Sequence, residues 1–592
     1  MPASAPRTSR AGALKILIVP LLAAAVLTFS LSASPEKEPP AAGQHAVSLP
    51  FLQPQPVVVA ADRMVCSLLG RTQTQAGIVG ADGSDTVVVG GVVYWSFGDT
   101  VLSGGAMIPN SVARSADHDA SDCVSLQPSE RVGRAVPLLP ANPGEELTVW
   151  PLGMEETAPG RVHFYYASVV SDPQRSWRVA GVGVASFDTT TLAARRAMGG
   201  KLVWPESLPL PSRTLSDGRY VYVLLDTSPS LWNTDTFLAR VPKESMESPG
   251  SYEYWQPGRG GQPGRWLAGL WDEGAGRWKS GLPEIGALWT QPALLNGADV
   301  AYNPYLKRWL AVYTTGFMTS VNLRSAAEIS GPWDGPEAVL VRCPGYHPAP
   351  PEGFVCYSGA QHAVYARDGG RTIYVSYSNG DSYQVYLHEI HLAGAVTRWS
   401  DQRGRAVYLT DGATAPEGFV SGGLAFYASD IPVPGFAPIH AWGQAETGSI
   451  RYGAAPPYPQ EAYRDLGIGF YAPASASRAE TAHAMYAPVY RWSRGEQERY
   501  SPLDLRPAGY APHETSFYAP CPDADNDGLT DCLESFLGTS PSLADTDGDY
   551  LNDGYERSTP ACDPLAYNDD GDAVSWLEEM TRGGNPCLTD AA

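Results

Sequence analysis

Two groups of carboxylates in this 592-residue chain are spaced for chemistry. Near the C-terminus, DADNDGLTDCLE sets Asp523, Asp525, Asp527, Asp531 and Glu534 at loop positions 1, 3, 5, 9 and 12, with Leu529 offering a backbone carbonyl at position 7. DTDGDYLNDGYE repeats that spacing with Asp545, Asp547, Asp549, Asp553 and Glu556, and Leu551 takes the carbonyl position. A weaker third copy uses Asn568, Asp570, Asp572 and Glu579. A hard cation takes roughly six to eight oxygens, and this spacing wraps the chain around one ion, the last Glu binding through both oxygens. The expected ion is calcium (Ca2+) in a structural role, since protein groups fill every ligand position. The competing reading is an acidic tail without fixed structure; the register and the interleaved cysteines favour ion sites. Without a cation the like charges repel, so metal and fold are expected to be coupled here.

The second group lies near the other end. The stretch GADGSDTVVVGGVVYWSFGDT (80–100) places Asp82, Asp85 and Asp99 beside two alternating apolar runs joined by Gly90-Gly91, the pattern of an antiparallel hairpin. Asp299 stands in NGADVAYNP, and His362 closes CYSGAQH. Strands must gather these distant residues. Four later segments repeat the hairpin's second strand in outline: RVHFYYASV from Arg161, RYVYVLLDT from Arg219, KRWLAVYTT from Lys307 and RTIYVSYSN from Arg371. Each follows a turn and pairs with an apolar stretch upstream. Five such units around an axis are the simplest packing, so 58–392 is expected to form a five-bladed β-propeller whose inner strands converge on an axial pocket.

Composition agrees with an all-β chain. Charged residues make up 18% and aromatics 10%, with 61 Gly and 52 Pro punctuating short strands. The length suggests about three or four domains. Arg7, Arg10 and Lys15 precede an apolar run from Ile16 to Leu31 and then small residues, the order of a secretory signal over 1–33. An uncleaved anchor is the alternative, because the run approaches a membrane-spanning length. After cleavage no stable membrane insertion is expected, and the protein is read as secreted, extracellular or on the cell surface. Residues 34–57 are Pro- and Ala-rich and read as a linker. All eight cysteines lie beyond the signal, an even number that favours disulfides in an exported chain. Sequence neighbours suggest Cys66 with Cys123, Cys343 with Cys356, Cys521 with Cys532 and Cys562 with Cys587, although spacing alone does not fix connectivity. The net charge is −22, and from Cys521 onward 17 acids face two bases. That balance excludes nucleic acid as a natural partner and suits divalent cations.

Between 393 and 520 a different repeat appears. Trp399, Trp442 and Trp492 are each followed by a Tyr (Tyr408, Tyr452, Tyr500) and then by FYA at Phe426, Phe470 and Phe517. Another aromatic stands seven residues before each Phe: Phe419, Tyr463 and Tyr510. Each copy is too short to bury its own core, which implies a pseudo-threefold module such as a β-trefoil. The aromatics are either its core or a ligand surface.

Several motifs occur together in one order: FGDT at Phe97, NSVARS at Asn110, VWPLG at Val149, YNPYLKRW at Tyr302, GPW at Gly331 and CYSGAQH at Cys356. Over roughly 330 residues the chain resembles a bacterial family of secreted five-bladed propellers long catalogued as a domain of unknown function. That family is similar to the furanosidase and levansucrase superfamily of glycoside hydrolases, and some of its members are endo-D-arabinanases. The threefold segment resembles an aromatic repeat appended to secreted bacterial hydrolases, which implies carbohydrate or wall binding. The acidic tail (521–592) resembles thrombospondin type 3 calcium repeats.

Glycoside cleavage needs one protonated and one ionised carboxyl group. The resemblance implies Asp85 as nucleophile or base and Asp299 as acid, with Asp99 a further catalytic candidate that otherwise caps a turn. It implies His362, Asn303, Tyr357 and Trp150 as sugar contacts. Asp299 and His362 have structural alternatives, a turn and a buried hydrogen bond. Glu206 is an acid that the sequence does not place. No Ser-His-Asp order, phosphate loop or HExxH site is visible. Two readings follow: a secreted glycoside hydrolase acting on arabinan-type polysaccharide, or a non-catalytic, calcium-stabilised module that binds glycan or mediates adhesion.

Overall fold

The computed structural model describes residues 56–68, 76–174, 176–227, 234–258, 262–279, 285–291, 297–315, 320–333, 337–343, 356–380, 382–473, 486–494, 497–502, 507–525, 527, 529–531, 534, 537–548, 551–558 and 562–566. The expected signal and third acidic loop lie outside these residues. Among the described residues the chain is all-β apart from short 3-10 turns and the helical turns of the acidic tail, of which Asp553–Ser558 forms one helix.

Local sequence sets the first hairpin. Gly90 and Gly91 both take positive φ, +58° and +80°, so Asp85–Val89 turns directly into Val92–Phe97 with Val89 opposite Val92. Ser111–Ser115 and Gln127–Pro128 complete this first sheet. The second sheet holds Thr148–Ala158, Arg161–Asp172, Ser176–Asp188 and Ala194–Arg196. The third holds Leu210–Ser216, Tyr220–Asp226, Thr234–Pro242, Glu253–Gln256 and Arg265–Leu267. The fourth holds Asp299–Asn303, Arg308–Thr315, Ser320–Ala326 and Ala338–Arg342. The fifth begins with Cys356–Gln361, Thr372–Asn379 and Gln384–Ser400, and its outermost strand is Val58–Ser67 from the start of the described chain.

Apolar side chains link these sheets in a cycle. Val87 and Tyr94 of the first sheet pack with Phe164 and Phe187 of the second. Tyr165 and Val184 of the second pack with Val223 and Tyr254 of the third. Leu224 and Leu238 meet Val300 and Tyr313. Leu310 and Val321 meet Val375 and Ile390. Trp95 and Phe97 meet Tyr374 and Leu387, which brings the fifth sheet back to the first. The Cys66–Cys123 disulfide ties the closing strand to the loop after Ser111–Ser115, and Cys343–Cys356 ties the fourth sheet to the fifth. Cys521 and Cys562 are also disulfide-bonded; their expected partners, Cys532 and Cys587, lie outside the described residues.

The expected boundary at 392/393 falls inside one strand. Gln384–Ser400 runs for 17 residues, pairing with Val58–Ser67 along its first half and with Ala406–Thr410 and Val420–Ala428 along its second. Two further three-stranded sheets repeat that second arrangement: Ala437–Gln444 with Ile450–Gly453 and Tyr463–Ala472, and Tyr486–Arg494 with Gln497–Ser501 and Ala511–Pro520. The repeat aromatics divide by burial. Phe426, Phe470 and Phe517 form a triangle with ring centroids 5.2 Å apart. The three tyrosines are cyclically bonded: Tyr452 Oη accepts from Tyr408 N at 2.9 Å, Tyr500 Oη from Tyr452 N at 3.1 Å and Tyr408 Oη from Tyr500 N at 2.7 Å. Trp492 is buried, whereas Trp399 and Trp442 are half-buried.

Replacing Tyr452 by Phe keeps the ring and leaves Tyr408 N–H buried without its acceptor. Such an orphan costs about 1–3 kcal/mol. Denaturant unfolding of Tyr452→Phe, Tyr500→Phe and Tyr408→Phe should give losses in that range of similar size, since the three bonds are equivalent.

Candidate active site

Closing five sheets into a cycle turns their first strands into edges, whose inward N–H and C=O groups lack a neighbouring strand. Side chains from the adjacent sheet fill that gap. Asp85 Oδ1 accepts from Thr86 N at 2.8 Å, and its Oδ2 accepts from Met154 N of the second sheet at 3.0 Å. Asp299 Oδ2 accepts from Gln361 N of the fifth sheet at 3.2 Å, while Gln361 Nε2 donates to the carbonyls of Asp299 and Leu310 at 3.0 and 2.8 Å. Arg213, 7% exposed, donates to Ser84 O at 3.4 Å. Ser84 Oγ meets Ser376 Oγ at 2.7 Å, where the fifth sheet reaches the first.

These groups form an inner cluster in which the Arg213 guanidinium lies among several acids. Burial raises the Asp85 carboxyl, and the Arg213 guanidinium and the backbone N–H groups pull it back. Burial raises Asp299 to about 7, with Asp85 pushing further and Arg213 opposing. Glu155 is raised to about 8 by burial and by the Asp85 charge, against Lys243 and Thr214. Asp226, bonded by Thr236 Oγ1 at 2.7 Å, is raised by burial as well. Arg213, joined by Lys243 at Glu155, does not offset the burial of these four carboxyls, and with Asp299 at about 7 and Glu155 at about 8 part of the set holds protons near neutral pH.

Three residues before Asp85, ahead of the start of its strand, lies a second cluster. Asp82 and Asp99 are backbone neighbours: Gly98 N donates to Asp82 O at 2.7 Å, and Asp82 N to Asp99 O at 3.3 Å. Asp82 Oδ2 accepts the hydroxyls of Tyr357 at 3.0 Å and Tyr383 at 3.1 Å. Its Oδ1 lies over Gly98, where any Cβ would collide with it. Burial and the Asp99 charge raise Asp82 to about 7, against the two tyrosine hydroxyls. Asp99 Oδ1 accepts the Thr148 hydroxyl, with the Trp150 indole nearby; burial raises this carboxyl, and those two donors hold it down. Trp150 stands edge-on to Trp177, ring centroids 5.3 Å apart. The fold thus gives one carboxyl that keeps its proton near neutral pH beside another with its own donors, the pairing that acid–base chemistry requires.

The structure therefore sorts the expected residues. Asp85 and Asp299 join the inner cluster; Asp99, Tyr357 and Trp150 join the outer one. Asn303 joins neither, contrary to its expected sugar contact. It is 4% exposed, its Oδ1 accepts from Leu306 N at 2.9 Å and its Nδ2 donates to Gly370 O at 2.8 Å, so both ends of its amide brace a turn. His362 is 1% exposed, with Nε2 2.8 Å from Ser376 Oγ and its ring 4.3 Å from that of Trp95. Burial and then the Arg213 charge lower it to about 3, so it is neutral at physiological pH and takes the buried hydrogen-bond role. Glu206 pairs with Arg178 at 2.9 Å on the surface. Glu155 and Arg213 were not singled out from sequence. Glu155 stands in MEET, two acids inside a strand, which was the available signal; Arg213 offered none.

The acidic tail brings its ligand candidates together. One ligand atom from each of Asp523, Asp525 and Asp527 lies within 4.8 Å of the others, and the same holds for Asp527, Glu534 and Asp553. The second group spans both loops, whereas the spacing assigned each loop its own acids. The loops also share an internal bond: Asp531 Oδ1 accepts from Ala524 N at 2.8 Å, and Asp553 Oδ1 from Thr546 N at 2.8 Å. Glu534 is fully buried, and neither of its carboxylate oxygens has a hydrogen-bond partner; both Asp525 oxygens are likewise buried and unpartnered. Such oxygens fit a hard cation. Asp549, Asn568, Asp570, Asp572 and Glu579 lie outside the described residues.

A family model described as a domain of unknown function, DUF4185, matches residues 69–389. Among solved structures, a protein of Bacteroides ovatus is similar at 14% identity over 54% of this chain and 87% of its own, with a TM-score of 0.37. An α-L-arabinofuranosidase from Podospora anserina in complex with cellotriose is similar at 12% identity over 56% of this chain and 97% of its own, TM-score 0.33. A GH43_1 enzyme from Xanthomonas citri is similar at 13% identity over 60% and 97%, TM-score 0.32. No curated protein matches. Among the described residues no helix is long and apolar enough to cross a membrane.

The raised inner carboxyls set a sign for stability. Glu155 binds its proton more tightly folded than unfolded, so its contribution is fully present below the ordinary value of 4.5 and is lost as pH rises through about 8. The unfolding temperature should fall across that window. Glu155→Gln, neutral throughout, should flatten the fall, and an unchanged slope would remove Glu155 from the set of protonated groups.

Proposed function

The chain belongs to the DUF4185 family, and from that premise we propose that it is an exported glycoside hydrolase acting on furanosidic, arabinan-type polysaccharide of a cell wall or matrix. Its cyclic sheets are read as a five-bladed β-propeller, its threefold segment as a β-trefoil that holds the enzyme near glycan, and its tail as calcium-binding repeats of the thrombospondin type 3 kind. The reading is carried by the Asp82–Asp99 pair: two adjoining carboxyl groups, one kept protonated to about pH 7 by burial and by its neighbour. Asp82 gives its proton to the leaving oxygen as the bond from the anomeric carbon breaks. Asp99, ionised, attacks that carbon or takes a proton from the incoming water. Asp85 and Asp299 take a structural role, because both Asp85 oxygens and Asp299 Oδ2 already serve backbone donors. That same commitment of the expected acid and nucleophile favours the second reading, a glycan-binding or adhesion module without catalysis.

Export is supported by the leader-like N-terminus and by the disulfides, with no free cysteine among the described residues. Calcium in the tail is supported by the unpartnered oxygens of Glu534 and Asp525.

Reducing-end release from arabinans, arabinogalactans and other furanosides separates the two readings. Wild type should release ends, and Asp82→Asn and Asp99→Asn should each lose at least about 100-fold in rate while staying folded. Release by neither wild type nor variants, with glycan binding intact, would leave the binding module. A full rate in Asp82→Asn would reject the acid assigned here.

For the tail, calcium titrated into chelator-treated protein should give saturable heat and raise the unfolding temperature. Glu534→Gln should bind substantially more weakly. No heat and no thermal shift would sink the calcium proposal.

A further inference from the structure

Two tyrosines grip Asp82 through one oxygen. Tyr357 and Tyr383 both donate to Oδ2, at 3.0 and 3.1 Å, and the Asp99 backbone N–H also favours the ionised carboxyl. Two O–H donors fill the two lone pairs of one carboxyl oxygen. A proton on this group therefore belongs on Oδ1, the oxygen that packs over Gly98 where a Cβ would collide with it.

The fifth sheet is distorted where it supplies these tyrosines. The ladder between Cys356–Gln361 and Thr372–Asn379 slips between Tyr357 and Ala360, a bulge that re-aims the side chain at Tyr357. Ser358 next to it takes φ +58°, and Tyr383 itself takes φ +52°, a region that residues with side chains seldom occupy. Such conformations cost on the order of 1–3 kcal/mol and persist only where surrounding contacts enforce them. Here the enforcement is visible. Tyr383 O accepts from Ala81 N at 3.0 Å, and a Cβ on Gly80 would come within 2.6 Å of that same oxygen. The tyrosine loop is clamped against Gly80–Ala81, so the hydroxyl is delivered to the adjoining Asp82. Two left-handed non-glycine residues, a bulge and a close glycine approach all serve contacts to one carboxyl oxygen.

We propose that Tyr357 and Tyr383 are positioning residues that lock Asp82 through Oδ2, so that its transferable proton resides on Oδ1. The proposal rests on Asp82 as the acid. Neither tyrosine needs to touch substrate. Each favours the ionised carboxyl, since its hydroxyl donates, and each fixes the direction in which Oδ1 points.

Removing one hydroxyl withdraws a donor worth about 1 kcal/mol, close to one pH unit. In Tyr357→Phe and Tyr383→Phe the alkaline limb of kcat/KM should move up by about one pH unit. The kcat should fall as Oδ1 loses its aim, with KM little changed. The carboxyl titration of Asp82, read by 13C resonance in substrate-free protein and assigned by its loss in Asp82→Asn, should move the same way without any turnover. A merely structural role would lower stability and leave both the limb and the titration in place. An active wild type whose variants keep both pH values would overturn the proposal. A shifted titration in a protein that cleaves no glycan would uphold the tyrosine lock and reject the acid role on which it rests.

Discussion

The pairing of Val58–Ser67 with Gln384–Ser400 is the constraint on which the rest of the structure depends. A cycle of sheets has no stable open form, because each sheet offers one apolar face to the next and an unclosed cycle leaves two such faces wet. Closure by the first described strand makes the ends of the sheet domain hold each other. The same long strand then continues into the threefold segment, and Tyr486 Oη from the third repeat donates to Ala60 O of the closing strand at 2.7 Å. Arg371 and Asp430 add a bidentate ion pair, 2.6 and 2.5 Å, across the same junction. The threefold segment thus buttresses the strand that closes the ring.

Closure also creates the electrostatic problem from which the candidate site is made. Inner edges need donors and acceptors, and carboxylates supply acceptors at the cost of burying charge. A hydrogen bond to a charged group contributes about 1.5–3 kcal/mol, less than full desolvation of a lone carboxylate costs. Burial raises Asp85 despite its backbone donors and Arg213, and it pushes Glu155 and Asp299 toward the protonated state as well. The outer pair follows the same physics with a different result. Asp82 has tyrosine hydroxyls and no guanidinium, so it retains its proton to about pH 7. Both carboxyls are raised by burial, and their donor sets differ within three residues of sequence: backbone N–H groups of two sheets on Asp85, tyrosine hydroxyls on Asp82.

The threefold segment and the tail solve simpler problems by repetition. Each tyrosine of the cycle satisfies a neighbour's backbone and receives the same in return, so no single repeat is complete alone. In the tail, corresponding aspartates Asp531 and Asp553 close corresponding turns, while Asp527, Glu534 and Asp553 converge from two loops. Gly554 N also donates to Asp527 Oδ2 at 2.9 Å, joining the loops directly.

What the sequence determined by itself was local or periodic. Gly90-Gly91 forced a hairpin, the Tyr and Phe triplets announced a threefold core, and the acid spacing set out the turns that Asp531 and Asp553 close, because each signal depends on backbone geometry within a few residues. The five recurring strands likewise gave the sheets and the all-β class. Which carboxyl does what was not legible. Asp82 and Asp85 stand three residues apart, and only Asp85 takes a role from the sequence; Asn303 reads as a sugar contact, and His362 as either a sugar contact or a buried hydrogen bond. Tertiary structure decided between them, since a carboxyl takes its proton affinity from burial and from whatever donors the fold brings near. For Asp82 those donors are Tyr357 and Tyr383, 275 and 301 residues away in the chain and beside it only because the ring closes.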